Sequence, residues 1–274
     1  MHTLVQTYTH RLAKTGHDNP KRTIEELLAH HLNCKPLEIY TRTTMDESML
    51  EADFNRLLQN EPLQYILGTA HFYGIEFNCD PRALIPRPET ESLIELILQS
   101  DLKDQLTPRL IDVGTGTGCI ALTLVNHLPN AHLEAVDSSE AALALTWENA
   151  QKLGLSERLT LHHNNLLSER PDETYDAVIS NPPYISTPHW NALASSVKEF
   201  EPRAALDAGP EGTECYEALA PEAWRALKPN GHLFLEIGYD QGTLVQRILQ
   251  RNGFHAIQLQ KDLNGHDRII HARK

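Results

Sequence analysis

Cysteine is scarce in this chain of 274 residues. The four thiols, Cys34, Cys79, Cys119 and Cys215, lie far apart and form no C-x-x-C pair. That spacing argues against a zinc site or a disulfide framework and fits a reducing compartment. No stretch approaches the ~18 uninterrupted apolar residues of a membrane span. Met1 to Lys14 lacks the apolar h-region of a signal peptide, so a cytoplasmic protein is expected. Positive charge is in deficit, with 24 Lys and Arg against 37 Asp and Glu, a formal charge of −13. A broad nucleic-acid footprint is therefore not expected, although a local basic patch remains compatible with that balance. Internal repeats and low-complexity segments are also missing.

What is present divides into three stretches. Residues 1–68 carry helical periodicity: Leu4, Tyr8 and Leu12, then Ile24, Leu27, Leu28, His31 and Leu32, then Met49, Phe54, Leu57 and Leu58. Pro20 suits a first helical turn, and Asp46 is placed to cap the third pattern. A small helical bundle is expected. The adjacent pair His30-His31 is read as ordinary surface and core residues, because neighbours on a helix point in different directions. Residues 69–84 contain aromatic and β-branched residues around Gly74, which predicts a β-hairpin or a bulged strand linking two domains. Residues 85–274 begin with a stiff loop, Leu84-Ile85-Pro86-Arg87-Pro88-Glu89-Thr90-Glu91, which opens a helix running through Gln99. The loop reads either as a helix start with acidic residues near its positive end or as a lid bringing Arg87 or Glu89 to a ligand.

From Arg109 onward strands alternate with helices, the pattern of an α/β fold with a parallel sheet. Strands are predicted at residues 110–113, 133–136, 159–161, 175–179 and 232–237, with two late strands at 254–259 and 268–271 forming a hairpin at the sheet edge. Helices are predicted at 120–128, 141–153 (capped by Ser138 or Ser139), 211–227 and 240–252. Pro229-Asn230-Gly231 reads as a turn.

The first strand runs into Gly114-Thr115-Gly116-Thr117-Gly118. Glycines at a strand-to-helix turn let a ligand approach the backbone, because no Cβ intervenes. Asp137 follows at the end of the second strand, where a carboxylate accepts hydrogen bonds from ribose hydroxyls. A nucleoside-containing cofactor is indicated. The dinucleotide spacing G-x-G-x-x-G is not met, since Cys119 stands where the third glycine would be, and the G-K-[ST] of a P-loop is absent. The loop has no basic residue for phosphate. S-Adenosylmethionine, a sulfonium cation, fits these features, with Asp112 and the loop N–H groups placed to meet its methionine portion.

The fourth strand stops at Ser180-Asn181-Pro182-Pro183-Tyr184. Two prolines in series supply no N–H and cannot continue a sheet. The stop holds an amide side chain, a backbone carbonyl and an aromatic ring in one rigid platform, which suits a flat, amide-like guest.

Together these residues resemble the class I S-adenosylmethionine methyltransferases. Asp112 to Gly118 resembles their first motif, Asp137 the ribose-binding acid, and Asn181-Pro182-Pro183-Tyr184 the [ND]-P-P-[FY] motif of the members that methylate planar amino groups. The helical stretch, the hairpin, Arg87-Pro88-Glu89-Thr90-Glu91, the glycine loop and Phe200-Glu201-Pro202-Arg203-Ala204-Ala205-Leu206 extend the likeness to the release factor glutamine methyltransferases over the whole chain. The resemblance implies a Rossmann-like, mostly parallel seven-stranded sheet behind an N-terminal helical bundle that recognises substrate. It implies S-adenosylmethionine as cofactor, held by Gly114, Thr115, Gly116, Thr117, Gly118, Asp137, Asn165, Leu166 and Asn181, with no metal. Asn165 stands where an aspartate is common, and Leu166 where an aromatic is common. The implied substrate is a class I peptide chain release factor, methylated on the N5 amide of the glutamine in its Gly-Gly-Gln loop. Asn181, Pro182, Pro183 and Tyr184 would bind that glutamine. Asn181, Pro182 and Tyr184 would serve the reaction: Asn181 Oδ1 and the Pro182 carbonyl accept the two amide N–H groups while the Tyr184 ring stacks on the amide.

Three other readings use the same residues. A glutamine of a ribosomal protein requires the same chemistry. A flipped nucleic-acid base fits the same pocket, against which stand the acidic balance and the lack of a basic recognition segment. A non-enzymatic cofactor-binding module would not require both Asn181 and a complete glycine loop.

Overall fold

The structure, a computed structural model, describes residues 1–42, 45, 47–262 and 264–274. The cap assigned to Asp46 lies outside the described residues. Two compact units divide the chain: Met1–Thr69 with Ala194–Phe200, and Ala70–Leu193 with Glu201–Lys274.

In the first unit, α1 (His2–Ala13), α2 (Pro20–His31), α3 (Glu47–Leu58) and α4 (Leu63–Leu67) turn their apolar stripes inward. Tyr8, Leu12, Ile24, Leu27, Leu28, Phe54 and Leu57 are buried in one core. Pro20 occupies the first turn of α2, and α4 ends on Gly68 at φ +71°. His31 Nε2 lies 3.1 Å from Asp53 Oδ2. Among the described residues no group of histidines, cysteines and carboxylates is placed to hold a metal.

The second unit opens on a two-stranded hairpin, β1 (Thr69–Phe72) and β2 (Ile75–Asn78). Its turn residues Tyr73 and Gly74 have φ of +49° and +75°, the mirror-image turn that matches strand twist. Pro88–Thr90 form one 3₁₀ turn that leads into α5 (Glu91–Gln99). There follow β3 (Arg109–Val113), α6 (Cys119–His127), β4 (His132–Asp137), α7 (Glu140–Lys152), β5 (Leu159–His163) and β6 (Tyr175–Ser180). The short helix α8 (Thr187–Trp190) comes next, and α9 (Ser195–Lys198) falls in the segment assigned to the first unit. The chain continues through α10 (Glu214–Ala226), β7 (Leu227–Glu236), α11 (Gly242–Arg251), β8 (His255–Lys261) and β9 (Asp267–Arg273). Ser139, one of the two serines expected to cap α7, accepts from the Ala142 N–H on its Oγ.

The seven strands lie in the order β5-β4-β3-β6-β7-β9-β8. β3 pairs in parallel with β4 and β6, β4 with β5, and β6 with β7, whereas β9 runs antiparallel to both β7 and β8. The interior strands are almost wholly buried, with apolar clusters including Leu110, Ala177 and Phe234 in one and Ile111, Val178 and Leu233 in the other. Such near-continuous apolar runs mark a parallel sheet covered on both faces. The chain travels outward from β3 to β4 to β5, then returns to place β6 on the other side of β3. The strand order therefore reverses between β3 and β6, and crevices beyond the carboxyl ends of strands at such a reversal are ligand sites.

One expectation is corrected. Pro229-Asn230-Gly231 does not separate α10 from a strand. β7 already begins at Leu227, and these residues make an excursion inside it, seen as the register shift between the Tyr175↔Leu227 and Ala177↔His232 pairs. Asn230, at φ +62°, is kept in place because its N–H donates to the Lys274 carbonyl, and the Lys274 N–H donates to Gly231.

Candidate active site

β3 and β6 are tied together at their carboxyl ends, where Ser180 Oγ donates to the Val113 carbonyl at 2.6 Å. This bond sets the glycine loop beside the proline-stopped loop. Gly114 and Thr115 both donate their N–H groups to the Val136 carbonyl, folding the glycine loop back over the end of β4. Gly114, Gly116 and Gly118 have φ of +76°, +59° and +80°, a region that costs other residues about 1–2 kcal/mol.

Beyond these strand ends lies a cavity of about 360 Å³. Its wall includes Gly114, Thr115, Gly116, Thr117, Asp137, Asn165, Leu166, Asn181, Pro182 and Pro183, so most of the residues expected from sequence meet in one place. Leu166 stands at φ +53°, a strained conformation for a γ-branched residue and one that clusters at ligand sites. Tyr184 faces a smaller adjoining pocket of about 30 Å³, together with Asn181, Arg87 and Leu84.

Two expected residues stand elsewhere. Gly118 does not face the cavity. It precedes α6, and a Cβ there would lie 2.8 Å from Thr146 Cγ2, so its role is close packing. Asp112 does not reach the cavity either. It is fully buried beneath the loop, where its Oδ2 accepts from the Thr115 hydroxyl at 2.8 Å. Burial pushes its carboxyl up to about 7. It braces the glycine loop from below.

Asp137 is placed by its own acceptors. Oδ2 takes the Gly116 N–H at 3.0 Å and Oδ1 the Ser139 N–H at 2.9 Å, which leaves each oxygen a lone pair for a ligand hydroxyl. The donor set suits a nucleoside sulfonium. Its volume lies in the range of small-molecule sites. Thr117 Oγ1 and Asn164 Nδ2 are buried within this wall. The wall's two cationic side chains among the described residues are already engaged, Arg82 by Asp80 and Glu148 and Arg87 by Glu201.

The loop before α5 holds side chains whose partners lie far away in sequence. Arg87 Nη2 donates to Glu201 Oε1 at 2.5 Å, and Glu201 Oε2 accepts from the Ile85 N–H at 3.1 Å. The loop is thus anchored to the start of the Glu201 to Leu206 segment. Thr90 lines the cavity, donates its hydroxyl to Glu236 Oε2 at 2.6 Å, and accepts from Asn181 Nδ2 at 3.2 Å. Tyr184 OH donates to the other Glu236 oxygen at 3.4 Å, and the Tyr184 carbonyl accepts from Gln241 Nε2 at 2.9 Å. Burial pushes the Tyr184 phenol up to about 12, so it stays a neutral donor. Glu236 carried a signal in the sequence: a carboxylate within the apolar run Leu233 to Ile237 is rarely buried without partners.

Comparison with known proteins places this geometry. Residues 94–200 match the family described as "Methyltransferase small domain", and residues 3–68 match "PrmC N-terminal domain". A protein of Rhodopirellula baltica named release factor glutamine methyltransferase is 36% identical, covering 99% of this chain and 95% of its own. One of the same name from Enterococcus faecalis is 41% identical, covering 83% of this chain and 81% of its own. The crystal structure of a methyltransferase from Pyrococcus furiosus, 17% identical, superposes with a TM-score of 0.54 over 80% of this chain and 96% of that one, and shares the fold.

Proposed function

Because the chain belongs to the release factor glutamine methyltransferase family, we propose that the cavity beyond β3, β4, β5 and β6 is where a release factor's glutamine receives its methyl group. The enzyme is an S-adenosylmethionine-dependent protein-glutamine methyltransferase. The acceptor is the side-chain N5 amide of the glutamine in the Gly-Gly-Gln loop of class I release factors, met in the cytoplasm.

S-Adenosylmethionine supplies the electrophilic methyl. Asp137 would hold its ribose hydroxyls, Asn165 and Leu166 would flank its adenine, and Gly114 to Thr117 would give its methionine end close access to backbone. The protein's task is at the acceptor. An amide nitrogen is a poor nucleophile because its lone pair is delocalised into the carbonyl. Asn181 Oδ1 and the Pro182 carbonyl each accept one amide N–H, which turns the lone pair toward the methyl and stabilises the positive charge that develops on nitrogen. Tyr184 flanks the amide plane. Transfer is direct, and the proton leaves after the nitrogen has become acidic, so most of the acceleration is positioning.

The observation that carries this reading is the meeting of Asn181 and the glycine loop on one wall, with Asn181 Nδ2 already committed to Thr90 and Oδ1 accepting nothing among the described residues. The test offers labelled S-adenosylmethionine together with purified release factor, ribosomal protein or duplex DNA. Label is expected on the release factor glutamine. Label on ribosomal protein or DNA alone would replace the substrate assignment.

A further inference from the structure

We infer that Thr90 and Glu236 are positioning residues for methyl transfer: the ionised Glu236 carboxylate fixes the direction of the Thr90 hydroxyl, and that hydroxyl fixes which end of the Asn181 amide faces the acceptor. The inference rests on the reading that Asn181 Oδ1 receives a substrate N–H.

A threonine hydroxyl has a single hydrogen. Glu236, 1% exposed, accepts on both oxygens, from Thr90 at 2.6 Å and from Tyr184 at 3.4 Å. With its only hydrogen given to the carboxylate, Thr90 Oγ1 offers only lone pairs. The Asn181 group beside it must then be the donor, Nδ2, as found at 3.2 Å. Oδ1 is left for the acceptor. An amide set the other way round would present two N–H donors to a substrate that itself presents N–H donors, and no productive complex would form.

Protonation reverses the chain. A neutral Glu236 has a hydrogen to give to Thr90 Oγ1. The Thr90 hydroxyl is then free to donate to Asn181, which draws Oδ1 away from the acceptor. Burial pushes this carboxyl up to about 7, so the reversal falls in an accessible range. The charged and titratable groups facing it are the Arg268 guanidinium from β9, which opposes that rise, Glu89 from the 3₁₀ turn, which adds to it, the neutral phenols of Tyr184 and Tyr216, and the Cys119 thiol at the start of α6. Burial pushes the Cys119 thiol and the Tyr184 phenol up to about 12, and raises the Tyr216 phenol well above its ordinary value. The Arg268 guanidinium, the Cys119 thiol and the Tyr184 phenol keep their charge near pH 7; Asp112, beneath the glycine loop, is also pushed up to about 7, and comparing wild type with Glu236→Gln separates its titration from that of Glu236.

The test measures kcat, KM for release factor and S-adenosylmethionine affinity for Thr90→Val, Thr90→Ser, Glu236→Gln and Asn181→Ala, with pH–rate profiles for wild type and Glu236→Gln. Thr90→Val is expected to lower kcat about tenfold or more while cofactor affinity stays put, since small misplacements at the reacting centre are costly. Thr90→Ser, which keeps the hydroxyl, is expected to restore most of kcat. Wild-type kcat is expected to fall with a single-proton limb below about pH 7, and Glu236→Gln to lack that limb. A Thr90→Val enzyme at wild-type kcat beside a crippled Asn181→Ala overturns the relay and leaves the Asn181 reading intact. Asn181→Ala at wild-type kcat overturns the reading beneath it. Should Thr90→Val fail to fold, an acid limb unchanged in Glu236→Gln still overturns the relay.

Discussion

Arg87 and Glu201 are joined across 114 positions of sequence by a hydrogen-bonded ion pair of 2.5 Å, and the carboxylate end of that pair is the buried one, 1% exposed against 31% for the guanidinium. Removing the cation would leave Glu201 with the Ile85 N–H. Arg87→Ala is therefore expected to cost about 3 kcal/mol in urea unfolding, the scale for stranding one member of a buried pair. Glu201→Gln, which leaves unpaired only the partly exposed Arg87 guanidinium, should cost less. Unchanged stability with a raised KM for release factor would recast Arg87 as a substrate contact rather than an anchor.

Asn181 and Asp137 are expected to fail in different ways. Asn181→Ala should lower kcat by ~10²-fold or more, as for loss of one transition-state hydrogen-bond partner, with calorimetric affinity for S-adenosylmethionine unchanged. Asp137→Ala should weaken that affinity, both by removing the ribose acceptor and by releasing the Gly116 and Ser139 N–H groups. Calorimetry showing the reverse pattern would exchange their roles.

The glycines of the loop are not equivalent. At Gly118 a Cβ meets Thr146 Cγ2 at 2.8 Å and Leu122 Cδ1 at 3.1 Å in addition to its positive φ, whereas at Gly114 nothing lies within 4 Å. Gly114→Ala should cost about 1 kcal/mol from backbone conformation alone, and Gly118→Ala about 2 kcal/mol or more. Thermal or urea unfolding decides this, and equal costs would show that Thr146 yields freely.

Glu236 also gives stability a definite pH dependence. Its folded value, raised from 4.5 to about 7, means the native state holds a proton that the unfolded chain has released between those pH values. Stability from this group is fully present below pH ~4.5 and falls as pH rises through about 7. Relative to wild type, Glu236→Gln should gain about 3 kcal/mol above that window and little below it. Urea titrations at pH 4.5 and pH 8 giving the same difference would count against a buried, titrating Glu236.

Much of the site could be read from the sequence because its parts are local. A glycine run between strand and helix, an acid at the next strand end and a double proline after a strand each state their geometry within a few residues. Thr90 and Glu201 were harder, since each acts through a partner more than 100 positions away and nothing local distinguishes their environment; the apolar run around Glu236 marked it as buried but not which residues it meets. Asp112 misled for a related reason. Its place just before the glycine loop is the same whether its side chain points into the cavity or beneath it, and only the packing of Thr115 over it decides. Gly118 shows the same limit: the glycine is legible, but whether ligand or Thr146 requires it is a tertiary fact. Pro229-Asn230-Gly231 was read by turn chemistry, and the backbone partners Gly231 and Asn230 find at Lys274 override that reading.

The sheet order has a consequence for synthesis. β9, the latest strand of the seven in chain order, lies inside the sheet between β7 and β8, and pairs Ile269 directly with Glu236. On a ribosome emitting the chain from its amino end, the glycine loop, Asp137 and Asn181 emerge long before the strand that encloses Glu236. The polar relay behind Asn181 is thus among the last features to be sealed from water. Nascent chains halted before Asp267 should be protease-sensitive at β7, while those extended past Arg273 should resist. For this enzyme, competence would arrive once β9 has emerged rather than by degrees.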